Sequence, residues 1–166
     1  MINNFSIENF LDLKNYVTDA RKKRRKEGKF GGGTQEFFTP YSIVKRMGDK
    51  VDDNTWSDPT KTFLENSFGN GQFVVYIVWE RIQHGIDWKT ALETLYGIEL
   101  HPDNVTETHD RVIELLTKLN IDFNERIARN IMEKNLVCSD IFKWDFEHWR
   151  PITESQINQK IQNKNN

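Results

Sequence analysis

Three short apolar runs, each with an acidic residue at its carboxyl end and each separated from the next by a helix-length segment, restrict this chain more than any other feature. They are TFLEN at 62–66, YGIEL at 96–100 and NLVCSD at 135–140. Runs of this length between polar punctuation read as short strands. The first is followed by SFGNG and then by GQFVVYIVWERIQHG, a largely buried helix stopped at Gly85. DWKTALETL is a second helical stretch, and PDNVTETHDRVIELLTKL a third. In the third, Pro102 lies in the first turn and Val105, Val112, Leu115, Leu116 and Leu119 lie broadly on one side. A polar helix from about Asn124 to Glu133 leads into the last run. Strand, glycine loop, helix, strand, helix, strand predicts an α/β fold, a parallel sheet with right-handed crossovers and flanking helices.

The leading part reads differently. SIENFLDLKNYVTDARKKRR places Ile7, Phe10, Leu11, Leu13 and Val17 near helical spacing behind Ser6, a candidate N-cap. Gly31-Gly32-Gly33 is a joint, Pro40 opens a helix through YSIVKRMGDKV, and DDNTWSDPT reads as a polar turn. The expected organisation is an N-terminal helix and basic, Gly-rich arm at 1–33, one domain at 34–150 and a frayed polar tail at 151–166.

At 166 residues, with no apolar run of membrane-spanning length and a start too polar for a signal peptide, a soluble cytoplasmic protein is expected. A single cysteine, Cys138, and four scattered histidines show no metal-ligand spacing, so no metal is implied. Net charge is -2, but residues 1–33 carry eight basic and four acidic residues, leaving +4 there and -6 elsewhere. The run Arg21, Lys22, Lys23, Arg24, Arg25 and Lys26 can contact a phosphate backbone, or it is simply the solvated end of a helix. The tryptophans Trp79, Trp88, Trp144 and Trp149 read as packing residues, and the histidines as surface or loop residues.

Ligands of open parallel sheets bind beyond the carboxyl ends of the strands, where Glu65, Glu99 and Asp140 stand. An acid ending the second strand accepts hydrogen bonds from both hydroxyls of a ribose, the role expected of Glu99. SFGNG lacks a P-loop lysine and the third glycine of a dinucleotide fingerprint, which disfavours nucleoside triphosphates and NAD.

FFTP, FLENSFGNG, LYGIELHP and NLVCSDIFKW, in that order over residues 30–146, resemble the cofactor-binding half of S-adenosylmethionine-dependent DNA methyltransferases that modify the N6 of adenine. The resemblance implies a truncated Rossmann-like class I methyltransferase fold. It implies that Thr39, framed by Phe38 and Pro40, contacts the methionine carboxylate of S-adenosylmethionine. Glu65 and the backbone from Ser67 through Gly69 to Gly71 would hold the methionine moiety, and Glu99 the ribose. Asp140 would accept from the adenine amino group, with Leu100 and Ile141 on the two faces of the ring. Asn66 stands where the family has proline. The family's catalytic Asn/Asp/Ser-Pro-Pro-Tyr/Phe motif, whose aromatic residue stacks on a flipped base, is absent: no Pro-Pro occurs in the chain, and Pro151 is the only proline after Asp140.

No catalytic residue is therefore assigned, and methyl transfer to DNA is expected to need a second polypeptide. The first strand would be left with an open edge, covered by the segment FKWDFEHWRP, by a second copy of the chain or by another subunit. The competing expectation is a non-catalytic cofactor-binding protein, or a decoy acting on restriction-modification.

Overall fold

The computed structural model describes residues 5–12 and 38–156. The basic run 21–26, the Gly31–Gly33 joint, Leu13, Val17 and the tail beyond 156 lie outside the described residues. Helix α1 (Ile7–Phe10) begins at Ser6, whose side chain accepts from the Asn9 N–H. α2 (Tyr41–Gly48) follows Pro40, as the proline placement predicts. The stretch expected to be a polar turn instead holds α3 (Asp53–Ser57). Asp52 caps it through the Asn54 N–H, and Trp56 is buried with its ring stacked 5.0 Å from that of Phe63. One buried aromatic residue is enough to draw a polar segment into a helical turn.

Strands β1 (Phe63–Glu65), β2 (Leu95–Glu99) and β3 (Leu136–Cys138) form a parallel sheet in the order β1-β2-β3. Its register pairs Glu65 with Gly97 and Glu99 with Cys138. The connecting helices are α4 (Gln72–Gln83), α5 (Trp88–Glu93), α6 (Pro102–Lys118) and α7 (Glu125–Asn135). The protein is thus mixed α/β, with a three-stranded parallel sheet flanked by helices. That order is compatible with one half of a doubly wound, Rossmann-like sheet.

α4 has a sequence that local propensity would make a strand, with Val74-Val75 and Ile77-Val78 in succession. It is helical because it is enclosed on almost every side, Val74, Val75, Tyr76, Ile77 and Val78 all being buried. α6 and α7 are amphipathic and give Val112, Leu115, Leu116, Ala128 and Met132 to the same core. Arg81, also fully buried, donates to the carbonyls of Asp58 and Lys61, both at 3.3 Å, and lies over the Phe63 ring, fixing the entry to β1. His109 is buried rather than at the surface: its Nε2 lies 3.2 Å from the Leu136 carbonyl, and desolvation holds its pKa below the usual histidine value.

Alternation along β2 puts Leu95, Gly97 and Glu99 on the face toward this core, and Tyr96 and Ile98 on the other. The second face is met by a C-terminal hairpin of β4 (Trp144–Asp145) and β5 (Arg150–Pro151). Trp149 is its anchor. Its ring contacts Tyr96 at 4.9 Å, Trp144 at 5.4 Å and Phe146 at 6.3 Å, and its Nε1 donates to the Lys134 carbonyl at 2.8 Å. Asp145 organises the turn by accepting from the N–H groups of Glu147 and His148 and from Gln156. The bonds from Gln156 and His148 pull its pKa down to about 2.

Two expectations change here. The segment FKWDFEHWRP packs on a face of the sheet rather than along β1, so among the described residues β1 pairs only with β2. The chain just after Arg150 is held rather than frayed, because Pro151 pairs with Trp144 and the Ile152 N–H donates to Lys143. Trp149→Ala removes three ring contacts and a hydrogen bond from a half-buried site. A loss of about 2–3 kcal/mol is expected, read as a lower midpoint in thermal unfolding followed by near-UV circular dichroism.

Among the described residues, no helix is long and apolar enough to cross a membrane.

Candidate functional site

The loop after β1 turns on two glycines in the left-handed region, Gly69 at φ +53° and Gly71 at φ +83°. Each is also closely packed. A Cβ on Gly69 would lie 3.3 Å from the Phe38 ring, and one on Gly71 would lie 2.6 Å from the Thr108 side chain. The leading segment expected to frame the ligand is therefore against the loop. Phe38 touches it, and the Thr39 carbonyl accepts from Gln72 Nε2 at 3.0 Å, the same nitrogen that donates to the Leu11 carbonyl at 2.9 Å. Pro40 is exposed and precedes α2.

Glu99 closes the arrangement. Only 5% exposed, it accepts the Gly69 N–H at Oε2 (2.8 Å), and the His101 N–H (2.9 Å) and Asn104 Nδ2 (3.4 Å) at Oε1. The acid at the end of β2 thus meets the glycine loop from β1, two features 30 residues apart in sequence. A carboxylate has about four acceptor positions, so one remains, and the long Asn104 contact can yield another. That is room for a vicinal diol.

A polar stripe on α6 holds the loop from behind. Asn104, Thr108 and Arg111, all buried, follow one another at helical spacing. Thr108 Oγ1 donates to the Gly69 carbonyl at 3.3 Å. Arg111 donates to the Asn70 carbonyl and, at 2.7 Å, to Gln72 Oε1. Reading the sequence for acids and glycines misses these residues. Their signal is present nonetheless, as polar side chains at i, i+4 and i+7 on a helix whose other inward positions are apolar apart from His109.

At the rim, β2 and β3 stay joined one residue beyond their paired ends, with the Ser139 N–H donating to the Glu99 carbonyl at 2.9 Å. The third strand ends at Cys138, not at Asp140. Asp140 instead caps a 3-10 turn (Ile141–Lys143) through the Phe142 N–H, because its short side chain reaches a backbone donor two residues on. Leu100, 60% exposed, follows the end of β2, and Ile141, half-buried, opens the 3-10 turn three residues beyond the end of β3. Phe142, 89% exposed, adds an apolar side chain to this rim that sequence reasoning passed over.

Glu65 ends β1 half-buried and, among the described residues, accepts only a long bond from the Ser67 N–H at 3.4 Å; Ser67 itself is exposed. Burial raises the Glu65 pKa above the usual glutamate value, the Ser67 bond opposing this weakly. A raised carboxyl pKa stabilises the fold below the unfolded-state value of 4.5 and withdraws that stabilisation as pH rises through the folded value. Glu65→Gln is therefore expected to melt higher than the parent at neutral pH, with the gap closing in acid. Equal melting temperatures at pH 7 would contradict this.

With Glu65, Glu99 and Asp140 at one end of the sheet, the site suits a cation carrying hydroxyls and an apolar ring, and disfavours phosphate. A cavity of about 310 Å³ adjoins Pro40, lined by Glu8, Asn9, Leu11, Asp12, Pro40 and Tyr41; none of the three strand-end acids is among these residues. Among the described residues, the one grouping dense enough for a metal ion is Asp145, Glu147 and His148, and the hairpin turn accounts for it.

No protein-family model, curated protein or solved structure matches this chain.

Proposed function

We propose that this chain binds S-adenosylmethionine at the carboxyl ends of its three strands, and that it is the cofactor-binding half of an N6-adenine DNA methyltransferase-like system. The observation that carries the reading is the bond from the Gly69 N–H to Glu99, which brings a positive-φ glycine loop and a strand-end acid into one site. Glu99 has the free acceptor capacity for ribose hydroxyls. Glu65 and Asp140 provide negative charge for the sulfonium and ammonium groups and an acceptor for the adenine amine. Leu100 and Ile141 are apolar side chains placed for the ring. The backbone of Ser67, Gly69 and Gly71, with Thr39 between Phe38 and Pro40, is left for the methionine end.

The chain lacks an amide-proline-proline-aromatic loop and a second copy would lack it as well, so the transfer step falls to a different subunit. β1 offers it a place. Its outer edge has no strand partner among the described residues, and Leu64 beside that edge is 54% exposed. The basic run 21–26 supports contact with DNA phosphates in such an assembly.

The isolated chain, incubated with methyl-labelled S-adenosylmethionine and adenine-containing DNA, is expected to transfer no label, and to be stabilised against heat by that cofactor but not by ATP or NAD. Label transfer by the chain alone would overturn the division of labour. Equal stabilisation by ATP would overturn the choice of ligand.

A further inference from the structure

Asn70 stands between the two glycines of the loop with its side chain completely buried, and among the described residues neither Oδ1 nor Nδ2 has a hydrogen-bond partner. A buried amide without partners is a net cost to folding, and an apolar side chain of similar size would fill the same space without it. The placement is not loose. The Gly69 N–H is held by Glu99, the Gly69 carbonyl by Thr108 and the Asn70 carbonyl by Arg111. The residue adjoins the start of α4, a helix of 12 residues whose N-cap, Gly71, contributes no side-chain bond. The amide nitrogen and the first-turn N–H groups together favour a negative group there, while the amide oxygen favours a donor.

We infer that the Asn70 carboxamide reads the amino-acid end of the ligand, with Nδ2 donating to its carboxylate and Oδ1 accepting from its ammonium. This makes Asn70 a specificity residue that separates ligands with that end from those without it. The inference rests on the cofactor reading proposed above. Because the amide is closed off from solvent, the packing over it opens on binding.

The test uses three probes on the full chain: S-adenosylmethionine, S-adenosylhomocysteine and 5′-methylthioadenosine, which lacks the amino-acid end. The parent is expected to bind the first two at least about tenfold more tightly than the third. In Asn70→Leu that preference disappears, affinity for methylthioadenosine is kept, and the ligand-free melting temperature is unchanged or higher. If the leucine variant does not fold, Asn70→Ala is read by the same ratio. A variant that keeps the parental ratio overturns the inference and leaves the cofactor reading standing. So does a leucine variant that melts lower and loses all three ligands alike, which would make Asn70 structural. A parent that binds none of the three overturns the cofactor reading, and this inference with it.

Discussion

Replacing Glu99 by alanine is expected to lower the stability of the ligand-free protein by about 3 kcal/mol and to abolish the proposed binding of S-adenosylmethionine. The first effect follows from what the carboxylate does without ligand. It takes the N–H groups of Gly69 and His101 at 2.8 and 2.9 Å in a site only 5% exposed. Hydrogen bonds to a charged group contribute roughly 1.5–3 kcal/mol each, and truncation leaves donors unpaired. For a chain of this size each kcal/mol moves the midpoint by about 2–4 °C, so a drop of about 6–12 °C is expected in a thermal melt. The second effect is expected from two sources, loss of the acceptor proposed for the ribose and release of the loop. Glu99→Gln separates them in part, since its amide oxygen keeps one of the two N–H donors, Gly69 or His101, while its NH₂ faces the other. An alanine variant that melts like the parent would show that the loop is not held by Glu99.

Gly71→Ala is expected to be comparably severe, about 3 kcal/mol, from two independent terms. At φ +83° any side chain is strained, at about 1–2 kcal/mol. Its Cβ would also lie 2.6 Å from Thr108, an overpacking of roughly 1–3 kcal/mol. Gly85 supplies the control within the same molecule. Its φ is +85°, but a Cβ at that position would meet nothing within 4 Å, so Gly85→Ala carries the backbone cost alone. The difference between the two variants measures the approach of α6 to the loop. Thr108→Ala in the Gly71→Ala background should recover part of it, read as a coupling energy in a double-mutant cycle. Equal destabilisation at positions 71 and 85 would show that the close approach carries no energy.

What was legible in the sequence was mostly local. The strand runs, the Gly loop, Pro102 in the first turn of its helix and the stop at Gly85 are set by spacing and by backbone chemistry, and all are found in the fold. Asp52–Ser57 misled because its polar residues outnumber Trp56, whose stacking on Phe63 is a tertiary event. His109 misled in the same way: one face of α6 is interior only because β3 lies beside it. The same helix hid the loop's support, since Asn104, Thr108 and Arg111 acquire a purpose only when residues 69–72 are brought against them. The hairpin's place on the sheet depends on Trp149 at φ +48°, a conformation no local rule assigns to tryptophan.

The central claim is that the loop at 67–71 and Glu99 form a site for S-adenosylmethionine, and titration calorimetry on the full chain tests it most directly. A ligand of about 27 non-hydrogen atoms at roughly 0.3 kcal/mol per atom gives about 8 kcal/mol, a dissociation constant near the micromolar range. Saturable one-to-one binding of that order, lost in Glu99→Ala, is the predicted result. The absence of saturable heat with a chain shown to be folded would contradict the claim.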